Sequence, residues 1–325
     1  MTTIPSPKIL LVGAGYMAME YAKVLKSLKK SFLVVGRSEE SALDFEKATG
    51  VSAAAGGIEN WLKQENHLGA RLLSQLRAAI IATNEDQLGL SARLLIQRGV
   101  KSILLEKPGG LNRTDLEKTK KLATEKKVEI FVAFNRRFYA STFKAQEIIK
   151  KDGEATSFKF DFTERSNLIE KSDKSVAVKR EWLLANSSHV IDLAFFLGGK
   201  PKKINSYKTG KLNWHPNGSI YAGSGISQSG ALFSYHANWE SAGRWEIEIM
   251  TPKHKLIFKP LEQLQIQKIG SMAVKELPIN DKLDMEFKPG LYRLVKSFLT
   301  DQKNLPTIAE QMENLKYYEL IESHV

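Results

Sequence analysis

The stretch KILLVGAGYMAMEYAKVL, residues 8–25, places an apolar run directly before a glycine-spaced turn and a helix-like pattern. Gly13, Gly15 and Ala18 supply the three small residues of the dinucleotide-binding fingerprint. In such a fingerprint the first small residue permits a tight turn, the second lets the backbone approach a pyrophosphate, and the third allows close packing of helix on strand. The stretch therefore predicts either a dinucleotide site or an ordinary strand–turn–helix corner.

The position of this turn in the chain favours the dinucleotide site. It follows the first strand of an alternating α/β region, and the predicted helix begins near Tyr16 and Met17. The backbone amides at a helix start face an anion well, because the helix dipole favours negative charge there. We therefore expect Gly13, Gly15, Tyr16 and Met17 to bind a dinucleotide cofactor.

Through about residue 150 the chain alternates short apolar runs with helix-like segments. The apolar runs are two-sided, as in buried parallel strands: Ile9–Val12, Phe32–Val35, Ala78–Ala82, Ile103–Leu105 and Val128–Phe134. The helix-like segments are Met17–Lys30, Glu39–Thr49, Gln87–Arg98 and Thr114–Lys126. This order predicts an α/β fold with a Rossmann dinucleotide-binding domain over residues 1–135.

Beyond about residue 150 the apolar pattern changes to a period of two, as in a sheet with one covered face. The helix-like segments in this region are Ser187–Leu197, Gly290–Leu299 and Ala309–Glu322. The sequence predicts an α+β domain with a largely antiparallel open sheet over residues 136–325. Its last helices can pack back on the first domain. The polar segment Ser166–Lys179 is predicted to be a mobile loop.

The bulk composition limits the classes of function. The chain has 325 residues, a net charge of +12 and no cysteine, which excludes disulfides and thiolate metal sites. Its lysines are dispersed, so the charge predicts a solvated basic surface, or an anionic small-molecule substrate, rather than a nucleic-acid groove. No apolar stretch approaches the roughly 20 residues of a membrane span. The start MTTIPSPK lacks the pattern of an export signal. We expect a cytoplasmic protein that binds neither nucleic acid nor membrane.

The end of the second predicted strand bears on the choice of cofactor. An NAD site usually has Asp or Glu about 20 residues after the glycines, where it bonds the ribose 2′-hydroxyl. This chain has Arg37 and Ser38 there, and the planar fork of an arginine suits a 2′-phosphate. NADP(H) is therefore the favoured cofactor and NAD(H) the alternative, although Arg37 can also be an ordinary surface residue.

Further motifs resemble those of the Gfo/Idh/MocA oxidoreductase family. LLEKPGG, residues 104–110, matches its Glu-Lys-Pro strand, and SSHVIDLAFFLGG, residues 187–199, matches its H-x-x-D helix. IIATNEDQ, VAFNRRF and EFKPGLYRLVKSFL extend the resemblance over the whole chain. The resemblance implies an enzyme that uses a nicotinamide cofactor to oxidise or reduce a ring carbon of a sugar, cyclitol or sugar nucleotide. It also implies a homo-oligomer, a dimer or a tetramer.

The resemblance assigns roles to individual residues. Lys107 becomes the central catalytic group, which bonds the carbinol oxygen and stabilises the negative charge that develops there. His189 becomes the acid–base group, since an imidazole titrates near neutral pH. Asp192, three residues later, becomes a structural or orienting residue, and no metal is expected. The Lys107–Pro108 peptide bond is expected to be cis.

Further residues are expected to surround these two groups, with a surface or packing role as the alternative for each. The remaining cofactor-binding residues implied by the resemblance are Thr83, Asn84, Glu106, Lys107 and Asn135. The substrate-binding residues are Lys107, Arg136, Trp182, Asn186, His189, Asn238 and Arg244. Trp214, Trp239 and Trp245 are interpreted as core or interface aromatics.

One position departs from the family pattern. Many family dehydrogenases carry an aspartate four residues before the histidine, where this chain has Ala185. Redox chemistry with Lys107 and His189, helped or not by Tyr139, stays the leading hypothesis. The alternatives are a nicotinamide-dependent lyase or glycosidase without net redox, and a catalytically inactive regulator that senses a dinucleotide.

Overall fold

The computed structural model describes residues 9–64 and 76–323, and these form two compact units. Within those ranges, the first unit takes in the chain up to Ala133 together with Leu291–Met312. The second unit takes in Phe134–Gly290 and the chain from Glu313 onward. The opening MTTIPSPK, on which the expectation of no export signal depends, lies outside the described residues.

The first unit contains a sheet of five parallel strands in the order β2-β1-β3-β4-β5. These strands are β1 Ile9–Val12, β2 Phe32–Val35, β3 Ala78–Ile81, β4 Ser102–Glu106 and β5 Glu129–Ala133. Every residue of β1 and β3 is buried, as expected of central strands in a parallel sheet. The Rossmann-like fold predicted for this region is confirmed.

The strand order creates a topological switch point between β1 and β3. The chain passes from β1 outward to β2 and then returns to β3 on the other side of β1. Val12, the last residue of β1, pairs with Val35 of β2 and with Ile81 of β3, so the carboxyl ends of the three strands are level. Open α/β sheets bind ligands at such an edge.

The helices of the first unit include every one predicted there, with small shifts at their ends. They are Tyr16–Ser27, Glu39–Thr49, Gly57–Gln64, Leu88–Gln97, Arg113–Lys126 and Leu291–Phe298. Local sequence fixes two of the boundaries. Asn112 Oδ1 accepts a hydrogen bond from the Asp115 amide at 3.1 Å, and Gly50 ends its helix with a φ of 68°.

The second unit contains an eight-stranded sheet in the order β13-β12-β11-β10-β6-β9-β8-β7. Its strands are β6 Ser157–Asp161, β7 Pro201–Thr209, β8 Ile220–Ser227, β9 Leu232–Asn238, β10 Glu246–Met250, β11 His254–Phe258, β12 Gln265–Lys268 and β13 Val274–Glu276. Neighbouring strands are antiparallel except β6 and β9, which are parallel. The predicted largely antiparallel sheet is confirmed.

The helix Ser188–Gly198 covers one face of this sheet. Its Phe195 ring lies with its centroid 5.5 Å from those of Phe160 and Phe233, two inward-facing residues of the sheet. On the opposite face Tyr207 and Leu232 are exposed. The oligomer expected from the sequence stays a prediction.

The interpretation of Ser166–Lys179 as a loop is wrong for much of its length. Short helices form at Ser166–Glu170 and Val176–Arg180. Two isolated apolar side chains, Ile169 and Val178, are buried and anchor the segment. They are too far apart in sequence to give a helical period. The remaining helices of the second unit and of the chain end are Ala140–Asp152, Lys282–Glu286 and Ile308–Glu322, of which the first two carried no prediction.

A buried ion pair fixes the helix Ser188–Gly198 within the second unit. Arg137 Nε donates to Asp192 Oδ2 at 2.8 Å, and Arg137 Nη2 donates to Oδ1 at 2.6 Å. The two side chains are only 5% and 2% exposed. Asp192 therefore has the structural role that the sequence suggested for it.

Removal of the Asp192 carboxylate leaves the Arg137 guanidinium buried without its counter-charge. We expect Asp192→Ala to lower the free energy of unfolding by about 3–5 kcal/mol. The exposed Asp44→Ala, which removes a surface pair with Lys47, should cost no more than about 0.5 kcal/mol. Urea unfolding of both variants measures the difference. Equal midpoints for the two variants would contradict a stabilising role for the buried pair.

Candidate functional site

The turn after β1 is closed by Gly13. Its φ is 122°, and a Cβ at this position would overlap the carbonyl of Ala82, just beyond β3. Its amide donates to the Val35 carbonyl at the end of β2, at 2.8 Å. Position 13 thus requires glycine both for the positive φ and for the missing side chain. The fold alone therefore explains the first glycine of the fingerprint, with or without a bound cofactor.

Gly15 has no such packing requirement. A Cβ built on Gly15 would have no atom within 4 Å, and the residue is exposed at the start of helix Tyr16–Ser27. No side chain caps this helix, whose first turn begins with the exposed Tyr16 and the half-buried Met17. The open space beside Gly15 and the uncapped amides fit a bound phosphate, because both are features that a pyrophosphate site requires.

A cavity of about 240 Å³ lies at this edge of the first unit's sheet. It brings together five of the residues predicted to bind cofactor: Gly13, Gly15, Arg37, Thr83 and Asn84. All five follow the ends of β1, β2 and β3, which the strand register holds level. The cavity is therefore the expected cleft of a dinucleotide-binding sheet.

Ser38 is not among the residues that line this cavity. Its hydroxyl caps the helix Glu39–Thr49, since Oγ accepts a hydrogen bond from the Ser41 amide at 3.3 Å. Ser41 lines the cavity in its place. Sequence reasoning missed Ser41 because it chose the residue nearest the strand end, although S-x-x-S is itself a helix-start pattern.

Lys107 follows the last residue of β4 at the same edge of the sheet. Its neighbour Glu106 accepts a hydrogen bond from the buried Tyr21 hydroxyl at 2.6 Å. On the other side, the Pro108 carbonyl accepts from Gln311 Nε2 at 3.0 Å, and the Lys107–Pro108 bond is cis. Residues on both sides of Lys107 are thus held in place.

His189 lies in the second unit, in the first turn of the helix Ser188–Gly198, and is 7% exposed. Its ring centroid is 6.1 Å from those of Phe134 and Trp245. Asp192, one turn later, holds the helix through Arg137 as described above. The imidazole is therefore placed by aromatic packing and by an anchored helix.

Two arginines predicted to bind substrate lie beside the same indole as His189. The guanidinium carbon of Arg136 is 4.7 Å from the Trp245 ring centroid, and that of Arg244 is 4.1 Å from it. Trp245 itself is 4% exposed. The sequence suggested a core or interface role for Trp245, and the structure adds the contacts with Arg136, Arg244 and His189.

A buried carboxylate that the sequence analysis missed completes this cluster. Glu164 is 3% exposed, and it accepts hydrogen bonds from Ser187 Oγ at 2.7 Å and from Asn186 Nδ2 at 3.0 Å. Arg244 Nη1 is 3.5 Å from its Oε2. Burial raises the pKa of Glu164 to about 7, against the lowering effect of Ser187, Arg244 and Asn186.

The sequence does contain a signal for Glu164. Phe158, Phe160 and Phe162 are buried at every second position of SFKFDFTE, and Glu164 continues that alternation on the same side. A carboxylate at an inward position needs hydrogen-bond partners. Those partners come from the sequence just before His189, which no local pattern could reveal.

Other predicted residues have partners away from this cluster. Asn135 Nδ2 donates to the Pro289 carbonyl at 3.0 Å, and Asn238 Oδ1 accepts from the Glu240 amide at 3.0 Å. The Trp182 ring packs against that of Trp214, with centroids 6.0 Å apart. Ala185 is buried in the π-helical turn Leu183–Ser187. The predicted ligand roles of Asn135, Trp182 and Asn238 remain predictions.

Residues 9–64 and 76–323 contain neither a metal-binding group of side chains nor a membrane-spanning helix. No group of three or more His, Cys, Asp or Glu side chains in these ranges is arranged to hold a metal ion. No helix in them is both long enough and apolar enough to cross a membrane.

The raised pKa of Glu164 has a consequence for stability. A carboxyl whose pKa is higher in the folded than in the unfolded state loses stabilisation as pH rises from about 4.5 to about 7. Glu164→Gln stays neutral and removes this loss. We expect its stability relative to the wild type to rise by about 2.5 kcal/mol between pH 5 and pH 8.

Chemical denaturation at several pH values measures this difference. Glu147→Gln, whose side chain is 65% exposed, is the matched control and should follow the wild type throughout. Burial also raises the pKa of Glu322 to about 7, but that group is present in all three proteins and cancels. A Glu164→Gln curve parallel to that of the wild type would contradict the raised pKa.

Comparison with known structures confirms the fold over nearly the whole chain. UDP-N-acetylglucosamine 3-dehydrogenase from Acidithiobacillus ferrooxidans is 14% identical with a TM-score of 0.71, and the match covers 97% of this chain and 96% of that one. Levoglucosan dehydrogenase in complex with NADH is 15% identical with a TM-score of 0.75, over 97% and 95% of the two chains. A proposed NADPH-dependent oxidoreductase from Desulfitobacterium hafniense is 18% identical with a TM-score of 0.76, over 98% and 95%.

Sequence comparison finds a family match for part of the chain. No curated protein sequence matches the chain. Residues 7–134 match the model of the Gfo/Idh/MocA family, an oxidoreductase family with an NAD-binding Rossmann fold. This match agrees with the family that the Glu-Lys-Pro motif suggested, whereas the H-x-x-D motif, His189 to Asp192, lies outside the matched residues. The family match thus covers the part of the chain that forms the five-stranded sheet, β1 to β5.

Proposed function

We propose that this protein is an NAD(P)-dependent oxidoreductase that acts on a ring carbon of a sugar, cyclitol or sugar-nucleotide-like substrate. The observation that carries the proposal is the cavity beside Gly13 and Gly15, in a sheet whose strand β4 ends at Glu106, directly before Lys107. The similarity in fold to a levoglucosan dehydrogenase and a UDP-N-acetylglucosamine dehydrogenase supports a carbohydrate substrate.

The residues of the first unit fit a nicotinamide dinucleotide. The amides after Gly15 would bind the pyrophosphate, and Thr83 and Asn84 would contact the middle of the cofactor from the end of β3. When bound, such a cofactor accepts or delivers hydride. We propose NADP(H) as the preferred form because the exposed Arg37 lines the cavity and presents a fork of donors suited to a 2′-phosphate.

Lys107 would bind the oxygen of the reacting carbon. Its ammonium stabilises negative charge on that oxygen as the alcohol is oxidised, and polarises the carbonyl in the reverse direction. The hydrogen bonds of Glu106 and Pro108 limit the freedom of the Lys107 backbone. Little further ordering of this backbone is therefore needed when substrate binds.

His189 would exchange the proton of a substrate hydroxyl. A neutral imidazole takes the hydroxyl proton during oxidation and an imidazolium returns it during reduction. The Arg137–Asp192 pair holds the helix that carries this imidazole, so we infer that it orients His189 rather than taking the proton itself.

The direct test is an absorbance assay at the band of reduced nicotinamide. NADP+ and NAD+ are each supplied with a panel of sugars, cyclitols and sugar nucleotides, and the reduced cofactors with the corresponding ketones. Turnover of at least one carbohydrate supports the proposal. Tight cofactor binding with no turnover of any compound in either direction would contradict the proposal and leave the two alternatives, the lyase or glycosidase without net redox and the regulator.

Arg37 should determine the cofactor preference. We expect Arg37→Gln to weaken NADP+ binding by about 10- to 100-fold, the range expected for a lost charge-assisted contact, and to leave NAD+ binding nearly unchanged. Calorimetric titration with each cofactor measures both affinities. The exposed Arg98→Gln is the control and should bind both as the wild type does. Equal weakening for the two cofactors would contradict the assignment of Arg37 to the 2′-phosphate.

Lys107 should be needed for turnover. Lys107→Met keeps the apolar stem but removes the ammonium, so we expect kcat to fall by about 10²- to 10³-fold while the folded protein still binds cofactor. Lys101→Met, at the exposed other end of β4, is the matched control and should keep full activity. Wild-type turnover by the Lys107 variant would exclude Lys107 as the group that binds the reacting oxygen.

A further inference from the structure

The two guanidinium groups beside Trp245 are an unusual arrangement for a buried indole. Arg136 and Arg244 both contact this one ring, which also packs against the ring of His189. The charge of Arg136 acts unfavourably on that of Arg244, so the pair is favourable only if anionic groups compensate them. The charges around the ring therefore decide what this surface can bind.

The carboxylates near the two arginines compensate them only in part. Glu164 accepts its shortest hydrogen bonds from Ser187 and Asn186. Its contact with Arg244 is longer, at 3.5 Å. The pKa of Glu164 is raised to about 7, so a large share of it is uncharged at neutral pH.

The other charged groups around Arg244 do not restore the balance. Glu262, whose Oε1 lies 3.3 Å from the Tyr139 hydroxyl, also acts on Arg244, but Arg165 adds a third positive charge. The neighbouring Arg137 is neutralised by Asp192. Among the groups that act on Arg244, the excess charge is therefore positive.

Arg136 and Arg244 also have N–H groups that are available to donate further hydrogen bonds. Within the described residues, the Arg136 Nε is buried and has no hydrogen-bond partner, and its Nη1 reaches only Asn135 Oδ1, at 3.4 Å. The Arg244 side chain is 46% exposed and has one long contact with Glu164. Guanidinium forks in this state suit a planar or tetrahedral oxyanion, to which they can donate two parallel hydrogen bonds.

We propose that Arg136 and Arg244, placed over Trp245 beside His189, bind a carboxylate or phosphate group of the substrate. The proposal rests on the proposed function and narrows its substrate class to acidic carbohydrates: uronic acids, sugar phosphates or sugar nucleotides. Trp245 supplies the flat apolar support that keeps both forks in place, and His189 next to it puts the anion close to the reacting hydroxyl. Such a site agrees with the anionic substrate that the net charge of +12 suggested.

Matched pairs of substrates test the proposal. Glucuronate with glucose, galacturonate with galactose, and glucose 6-phosphate with glucose differ only in the charged group, and UDP-N-acetylglucosamine is compared with N-acetylglucosamine. The proteins are the wild type, Arg136→Gln, Arg244→Gln and Arg244→Lys, and the control is Arg180→Gln, an exposed arginine of the same unit. Each is assayed for kcat/KM and, independently, by calorimetric titration of the sugars into protein saturated with NADP+.

The expected result is a preference of the wild type for the acidic member of at least one pair. Arg136→Gln and Arg244→Gln should lower kcat/KM and affinity for that member by about 10- to 100-fold and leave its neutral partner nearly unchanged. Arg244→Lys should be intermediate because it keeps the charge and loses the fork. Affinity for NADP+ should not change, which excludes a cofactor phosphate as the anion.

Two results would overturn the proposal. One is equal use and equal binding of acidic and neutral partners by the wild type. The other is an arginine variant that weakens both members of a pair alike. Arginine-dependent binding of an acidic sugar without any turnover would support this subsite while contradicting the proposed oxidoreductase function, so the two failures are distinguishable.

Discussion

The site in the first unit depends on the close approach of the backbone at Gly13 to the ends of two neighbouring strands. The Gly13 amide bonds the carbonyl of Val35 after β2, and its missing side chain leaves room for the carbonyl of Ala82 after β3. Three strand ends are thereby drawn together at one point. Because this turn is so tight, the next glycine, Gly15, stands in open space at the start of the helix, where a phosphate can reach the amides.

In the second unit two buried carboxylates, those of Asp192 and Glu164, hold the helix Ser188–Gly198 and the turn before it in place. Asp192 lies on the helix and is held by Arg137, whereas Glu164 follows β6 and accepts hydrogen bonds from Asn186 and Ser187 just before the helix begins. His189 lies between these two attachments. Its position is therefore set by groups with different protonation behaviour: a charged pair on one side and a carboxyl that titrates near neutral pH on the other.

The sequence allowed the alternating elements of the first unit to be predicted well, because two-sided apolar runs and glycine turns are local signals. The parallel sheet and the cleft with Gly13, Gly15 and Arg37 followed from them, whereas Thr83 and Asn84, which line the same cavity, came from the family resemblance. The second unit was predicted in outline only. Its helices at Ser166–Glu170 and Val176–Arg180 are anchored by single buried residues, and such anchoring depends on tertiary contacts that no short period in the sequence records.

Glu164 shows the limit of motif reasoning most clearly. The family resemblance directs attention to position 185, where alanine stands in place of a carboxylate and suggests a loss of chemistry. The structure has a carboxylate close to this position in space, that of Glu164. It follows the strand β6 and accepts hydrogen bonds from Asn186 and Ser187, the two residues after Ala185. A motif specifies residue types at fixed spacings in the sequence. A site needs only a carboxylate at the right position in space, which any element of the fold can supply. Ala185 therefore does not by itself argue against an enzyme, because a different element supplies a carboxyl beside the turn that leads to His189.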